Sequence, residues 1–208
     1  MQRFFNADNP VWRFIGNIAD MFFLSVLWYA SALLIVPAGA GTTALNYAAL
    51  RLASNQEGED FASFKKSFLL NFKQATVLWL IFLAGALVLA ADWFWCLFSG
   101  AALAQMLFPA LVIISVLYVN WMCCTFPLLA RCENTTKRIL WLGFTLSLRH
   151  FLPVLSATIL TAGVFALGLF VTWPLLLIAP GLSAYINAYI YNHIFEQYGI
   201  DLRDDDPA

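Results

Sequence analysis

An all-α, polytopic membrane helix bundle is the fold class this sequence predicts: about six spans forming three hairpins, N-in/C-in. Three observations predict it. Hydrophobic residues make up 62% and charged residues 11% of the 208, against about 45–50% and about 25% in soluble domains. The mean hydropathy is +0.78, and several apolar runs reach about 20 residues, enough to cross a hydrocarbon core. Finally, Lys and Arg, eleven in all, cluster in alternate connections, as cytoplasmic loops do.

The chain in order supports each element. Met1–Asn17 mixes Phe4, Phe5, Trp12 and Phe14 with Arg3 and Arg13, an interfacial pattern broken by Pro10. Ile18–Val36 reads as the first span and carries Asp20 in its first turn, where a carboxylate suits the helix dipole. Pro37 to Thr43 holds the proline and glycines that stop one helix, and Thr42 can start another. Thr42–Ala53 is short for a crossing, but six crossings place all eleven basic residues on one side, whereas five strand one outside. The first hairpin is therefore 18–53.

Phe61–Gln74 reads as a cytoplasmic basic amphipathic helix. Phe61, Phe64, Phe68 and Phe72 share a face, with Lys65, Lys66 and Lys73 beside it at the membrane surface. It runs straight into the span Ala75–Trp95, where Asp92, Trp93 and Trp95 have the character of an interfacial anchor. Ala104–Ala130, interrupted by Pro109 and Pro127, completes a hairpin over 75–130. A second basic amphipathic segment, 134–150, carries Arg138 and Arg149. The third hairpin is 151–198, with spans at Phe151–Thr172 and Leu182–Tyr198 and an apolar link between them. An acidic tail, 199–208, with Asp201 and Asp204–Asp206, ends a single membrane domain.

A shift of 76 residues lays Phe64, Phe68, Phe72 and Lys73 on Leu140, Phe144, Leu148 and Arg149. This fits a duplication. It also fits the shared need of interfacial helices for an apolar stripe with basic flanks.

Ionisable and amide side chains inside spans are the functional candidates. Asp20 and Arg51 both fall near the inner end of the first hairpin, where they can pair. In the last helix Asn192 and Glu196 share a face, Asn187 lies beside it, and His193 sits three residues before Glu196. A His193–Glu196 couple can carry a proton, or the two can simply end the helix at the headgroups. Asn46, Gln105 and Asn120 are amides of the kind that hydrogen-bond between membrane helices.

Other chemistries find no support. The four cysteines, Cys96, Cys123, Cys124 and Cys132, form no C-x-x-C pair and lie far in sequence from His150 and His193, so no disulfide framework or metal site is expected. No H-E-x-x-H, G-x-S-x-G or P-loop occurs, so no catalytic residue, cofactor or enzyme activity is expected. No basic, aromatic-interleaved surface points to nucleic acid.

Pro37-x-x-x-Gly41-Thr42-Thr43-Ala44 follows the first span, and Phe61-x-x-Phe64-x-x-x-Phe68-x-x-Asn71-Phe72-Lys73-Gln74-Ala75-Thr76 leads into the next long one. With Ala179-Pro180-Gly181-Leu182 and Tyr191-x-x-x-Phe195, these stretches resemble the YesL family of bacterial membrane proteins. The resemblance implies a multi-pass protein of the cytoplasmic membrane, with an accessory or regulatory part in carbohydrate uptake beside the permease subunits of sugar ABC importers. It carries no functional residues over, because the shared motifs are structural. The expected partners are the lipid bilayer, such a permease and further copies of the chain. A small oligomeric transporter or channel for a small solute is the alternative, with a polar path past Asn46, Asn120 and the last helix.

Overall fold

The computed structural model of the chain describes residues 10–54, 60–100 and 102–199. The acidic tail and most of the N-terminal aromatic stretch lie outside the described residues. The described residues form helices α1 (Pro10–Ala32), α2 (Ala38–Ala53), α3 (Asp60–Phe98), α4 (Ala102–Arg131), α5 (Thr136–Arg149), α6 (Phe151–Phe170), the single turn α7 (Trp173–Leu176) and α8 (Ala179–Glu196), and no strand. Three of them are long and apolar enough to cross a membrane, over Phe61–Phe98, Leu103–Arg131 and Phe151–Phe170; Ile18–Ala32 is apolar but shorter. The chain is an all-helical membrane protein.

α2 is the hub of the bundle and packs on α1, α3, α4 and α8. At 16 residues it is ~24 Å long, short of a ~30 Å hydrocarbon core. It is buried on nearly every side because its side chains are small: Ala40, Ala44 and Ala48 are fully covered. The sequence places its start at Thr42, but it begins at Ala38. Gly39 and Gly41 act here as close-packing residues and not as punctuation. A Cβ on Gly39 would lie 2.5 Å from the Ala75 carbonyl oxygen and from the Trp79 Cβ. Burial against α3 overrides the weak helix preference of glycine.

The turn from α1 to α2 is tight. Ile35 N–H donates to the Ala32 carbonyl at 3.0 Å, and Ile35 takes a φ of 59°. A β-branched residue in that left-handed region is strained.

α3 joins the Phe-rich segment and the following span into one helix of 39 residues, ~58 Å long. Its packing face differs from the expected phenylalanine face. Ser63, Phe64, Ser67, Asn71, Ala75 and Leu78 are buried, while Phe61 and Phe72 are exposed. The phenylalanines stack along the helix, Phe64 on Phe68 with centroids 6.2 Å apart and Phe68 on Phe72 at 5.5 Å. Small side chains let α2 approach, while Phe61, Leu69, Leu70 and Phe72 stay outside.

α5 repeats this arrangement on α4. Ile139, Gly143 and Ser147 face inward, and they are the residues that a 76-residue shift lays on Ser63, Ser67 and Asn71. A Cβ on Gly143 would meet the Thr125 Oγ1 at 2.5 Å, just as α3 closes on Gly39. The echo thus extends from sequence to packing. The continuation differs: α3 runs on straight, whereas α5 stops at His150 and α6 restarts with Pro153 in its first turn, where a proline is tolerated. α5 bridges two neighbours. Gln74 Nε2 of α3 donates to the Asn134 carbonyl just before it at 2.7 Å, and His150 Nε2 meets the Tyr198 hydroxyl just after α8 at 3.0 Å.

The basic residues Arg51, Lys65, Arg131 and Lys137 lie at helix ends that meet at one end of the bundle, the basic end. Toward the far end, the outer halves of α3 and α4 project as a hairpin beyond α2. Val88, Phe94, Phe98, Met106 and Ile113 are exposed along it. Trp93, expected as an interfacial anchor, instead turns into this hairpin, donating to Ser115 Oγ at 2.9 Å and meeting Phe108 edge-on. α4 passes through Pro109 and Pro127 without a break in the helix. α8 begins at Ala179, earlier than expected, with proline in its first turn. Its Gly181 touches the Met21 carbonyl of α1, and Gly181 N–H donates to Ser25 Oγ at 2.8 Å.

Candidate functional site: a central cavity

Where α1, α2, α3, α4, α6 and α8 converge, they line a half-open cavity of about 410 Å³. Trp28, Phe126 and Phe165 supply apolar wall; Thr42, Asn46, Thr161 and Asn187 supply polar atoms; Ile35, on the strained turn, also lines it. No Asp, Glu, Lys, Arg or His is among the lining residues.

Most of the polar groups are already engaged. The hydroxyls of Thr42, Thr158, Thr161 and Ser183 donate to carbonyls of Ala38, Val154, Ala157 and Pro180 on their own helices at 2.9–3.0 Å. Asn46 Nδ2 donates to the Thr42 carbonyl at 2.8 Å, and Trp28 Nε1 donates to Thr42 Oγ1 at 3.1 Å. Tyr191 donates across to the Cys123 carbonyl at 3.0 Å. Asn187 Nδ2 donates to Thr161 Oγ1 at 2.7 Å. The Thr161 proton already goes to Ala157, so Thr161 can only accept from Asn187, which fixes the amide orientation. Two buried atoms of the lining residues then have no hydrogen-bond partner: Asn187 Oδ1, an acceptor, and Trp79 Nε1, a donor.

The other sequence candidates separate from this cavity. Asn120, 1% exposed, donates to the Ser147 carbonyl at 3.4 Å, with its Oδ1 3.5 Å from the Thr158 hydroxyl, behind the cavity wall. Asn192 joins three helices at the basic end. Its Nδ2 donates to the Leu50 carbonyl at 3.3 Å and to Ser54 Oγ at 3.0 Å, and its Oδ1 accepts from Arg131. Arg131, 7% exposed, lies over the Phe195 ring at 5.3 Å. Sequence reasoning counted Arg131 only as a loop charge; its place directly after the apolar run Leu128–Ala130 was the signal that it could be buried.

Arg51 stacks on Tyr47 at 5.9 Å and donates to its hydroxyl at 3.5 Å. Asp20 is half-buried on α1 and has an interaction of its own. His193 and Glu196 are both exposed, and the His193 ring pairs with Gln197 at 3.2 Å. Lys65, Lys73, Arg138 and Arg149 are exposed, and Lys66 is half-buried. Cys132, in the turn after α4, has its thiol pushed up from the usual value by burial, with the Arg131 charge opposing.

The sequence was compared with families, curated proteins and solved structures. No curated protein and no solved structure matches the chain. Residues 21–93, which run from α1 through α2 and most of α3, match a family described as a protein of unknown function, DUF624.

Proposed function

We propose that the chain is a multi-pass protein of the cytoplasmic membrane that acts by contact, as an accessory or regulatory component linked to carbohydrate uptake. The observation that carries this reading is the isolation of its polar side chains. Asn46 and Asn187 line the cavity, Asn120 is tied off behind its wall, and Asn192 is locked to Arg131, Leu50 and Ser54. A carrier needs a continuous polar route, and these groups instead sit in separate hydrogen-bonded sets, with Asn187 Oδ1 left without a partner. YesL is the name that usually goes with the DUF624 family, and the matched stretch contains two of the four resembling segments, those at Pro37–Ala44 and Phe61–Thr76. That supports a place beside sugar-importer permease subunits. The exposed far-end hairpin offers the lipid-facing surface for such a partner or for a second copy. No enzyme activity is proposed.

The topology is six crossings with both ends cytoplasmic, in one membrane domain whose hairpins span 18–53, 75–130 and 151–198. In a background lacking native cysteines, a membrane-impermeant thiol reagent added outside should label Ser99→Cys and leave Ser54→Cys unlabelled. The reverse pattern inverts the topology. The second reading, a small oligomeric transporter or channel, draws on the cavity itself. Purification in mild detergent with identification of co-purifying proteins, run beside solute flux in liposomes holding this protein alone, separates the two. Stoichiometric recovery of a permease supports the accessory reading; flux without any partner overturns it.

A further inference from the structure

We infer that the central cavity is a binding site for an uncharged, largely apolar molecule bearing one hydroxyl or secondary amide. The inference goes beyond the accessory reading and does not depend on it. Charge is excluded first. Among the described residues no Asp, Glu, Lys, Arg or His side chain lines the space, and an ion moved there from water gains no charged partner among them to offset its desolvation. Sugars are excluded by hydrogen-bond bookkeeping. The lining hydroxyls donate to their own helices, the buried lining atoms left without a partner are one acceptor, Asn187 Oδ1, and one donor, Trp79 Nε1, and most of the remaining wall is apolar side chain. A polyol would enter with most of its hydroxyls unmatched, each losing its water contacts without replacement.

What fits is a group that gives one hydrogen bond and takes one, on an apolar body. A hydroxyl or an N–H/C=O amide does both. Asn187 is 8% exposed, and the network through Thr161 and Ala157 holds its amide so that Oδ1, not Nδ2, is left over. The size agrees: at ~30 Å³ per non-hydrogen atom, about 410 Å³ holds on the order of a dozen such atoms, a medium-length chain with a polar head. Ile35, held at the strained turn with φ 59°, lines the cavity and stands 61% exposed. Its side chain therefore lies between the cavity and the surroundings. Such a molecule can come from the bilayer, as a neutral lipid or its free alcohol, or from the aqueous phase, as a soluble amphiphile.

The test uses the full chain in phosphatidylcholine nanodiscs and a decanol carrying a terminal photoreactive diazirine, with adducts located by peptide mass spectrometry. Labelling is expected to saturate, to map to peptides around Thr42–Asn46 and Ser183–Tyr191, and to be competed by 1-decanol at least tenfold better than by decanoate or sucrose. Asn187→Leu, which removes the acceptor at similar volume, should weaken saturable labelling about tenfold. Ala184→Leu, which fills the space without touching the amide, should abolish it. If Asn187→Leu fails to fold, as judged by size exclusion and circular dichroism, Ala184→Leu carries the test. Non-saturable labelling spread over the exposed faces of α3 and α4, or saturable labelling unchanged in both variants, overturns the inference. The lipid extract of wild-type protein purified without probe distinguishes the sources. A stoichiometric neutral hydroxyl-bearing lipid that is absent from Ala184→Leu marks the bilayer. An extract without it, from protein that takes the probe from solution, marks a soluble ligand.

Discussion

Substituting Gly39 by alanine tests the central packing of the molecule. A Cβ built there lies 2.5 Å from the Ala75 carbonyl oxygen and 2.5 Å from the Trp79 Cβ, where ordinary contact begins at 3.4 Å. α2 and α3 must therefore separate locally by about 1 Å, because one obstacle is backbone and cannot rotate away. Overpacking of this kind costs ~1–3 kcal/mol, and the better helix preference of alanine returns ~0.5–1 kcal/mol. The net loss lies within ~0–2.5 kcal/mol and centres on ~1 kcal/mol, a factor of about 5 in the folded-to-unfolded ratio. Gly163→Ala in α6 is the matched control: nothing lies within 4 Å of its Cβ position, so it should gain ~0.5–1 kcal/mol. Equilibrium unfolding in mixed micelles, followed by tryptophan fluorescence, measures both. Removing the Ala75 side chain should not rescue Gly39→Ala, since the clash is with its carbonyl. Equal or higher stability of Gly39→Ala, with the control behaving as stated, would refute the α2–α3 contact.

Three further outcomes follow from the same geometry. Asn192→Leu removes the acceptor of the buried Arg131 and two bonds to α2, and should destabilise by ~2–4 kcal/mol; in a double-mutant cycle with Arg131→Met the double variant should lose less than the sum of the singles, and strict additivity would count against the pair. Ile35→Gly relieves the left-handed backbone and should stabilise by ~1 kcal/mol, read as a higher melting temperature in the same micelles. Burial raises the Cys132 thiol, so less of it is thiolate at neutral pH than of an exposed cysteine. Maleimide should modify it more slowly there, with the deficit shrinking as pH rises through its raised pKa; a rate equal to that of a free thiol at pH 7 contradicts the burial.

Much of the architecture was legible in the residues, and the failures share a cause. Pro37 and the glycines near it marked the α1–α2 hairpin, and the apolar runs marked α3, α4 and α6. The phenylalanine stripe of α3, read as the apolar face of a membrane-surface helix, did not say which residues pack inside: Phe61 and Phe72 are exposed but Phe64 is buried. In a membrane, lipid accepts large apolar side chains and the core goes to small ones, so Ser63, Ser67 and Asn71 were the better guide. The same inversion hid the start of α2, where Gly39 and Gly41 read as a break. Of the candidate site, Asn46 and Asn187 stood out as amides in apolar surroundings. Trp79 did not, because an indole in a span is unremarkable until its N–H is found without an acceptor. Arg131 was missed because its burial depends on where α8 places Asn192 and Phe195, contacts that span 61 residues or more.

The bridge made by α5 has a mechanical consequence. Its 14 residues form a strut ~21 Å long, fastened to α3 through Gln74 and to the end of α8 through Tyr198. A helix resists stretching, so the spacing of those two feet is fixed. Trp79 and Asn187 stand on the helices that the strut ties together. Any widening of the space between them is then resisted at the basic end and is easier at the far end, where α1 turns into α2 at Ile35.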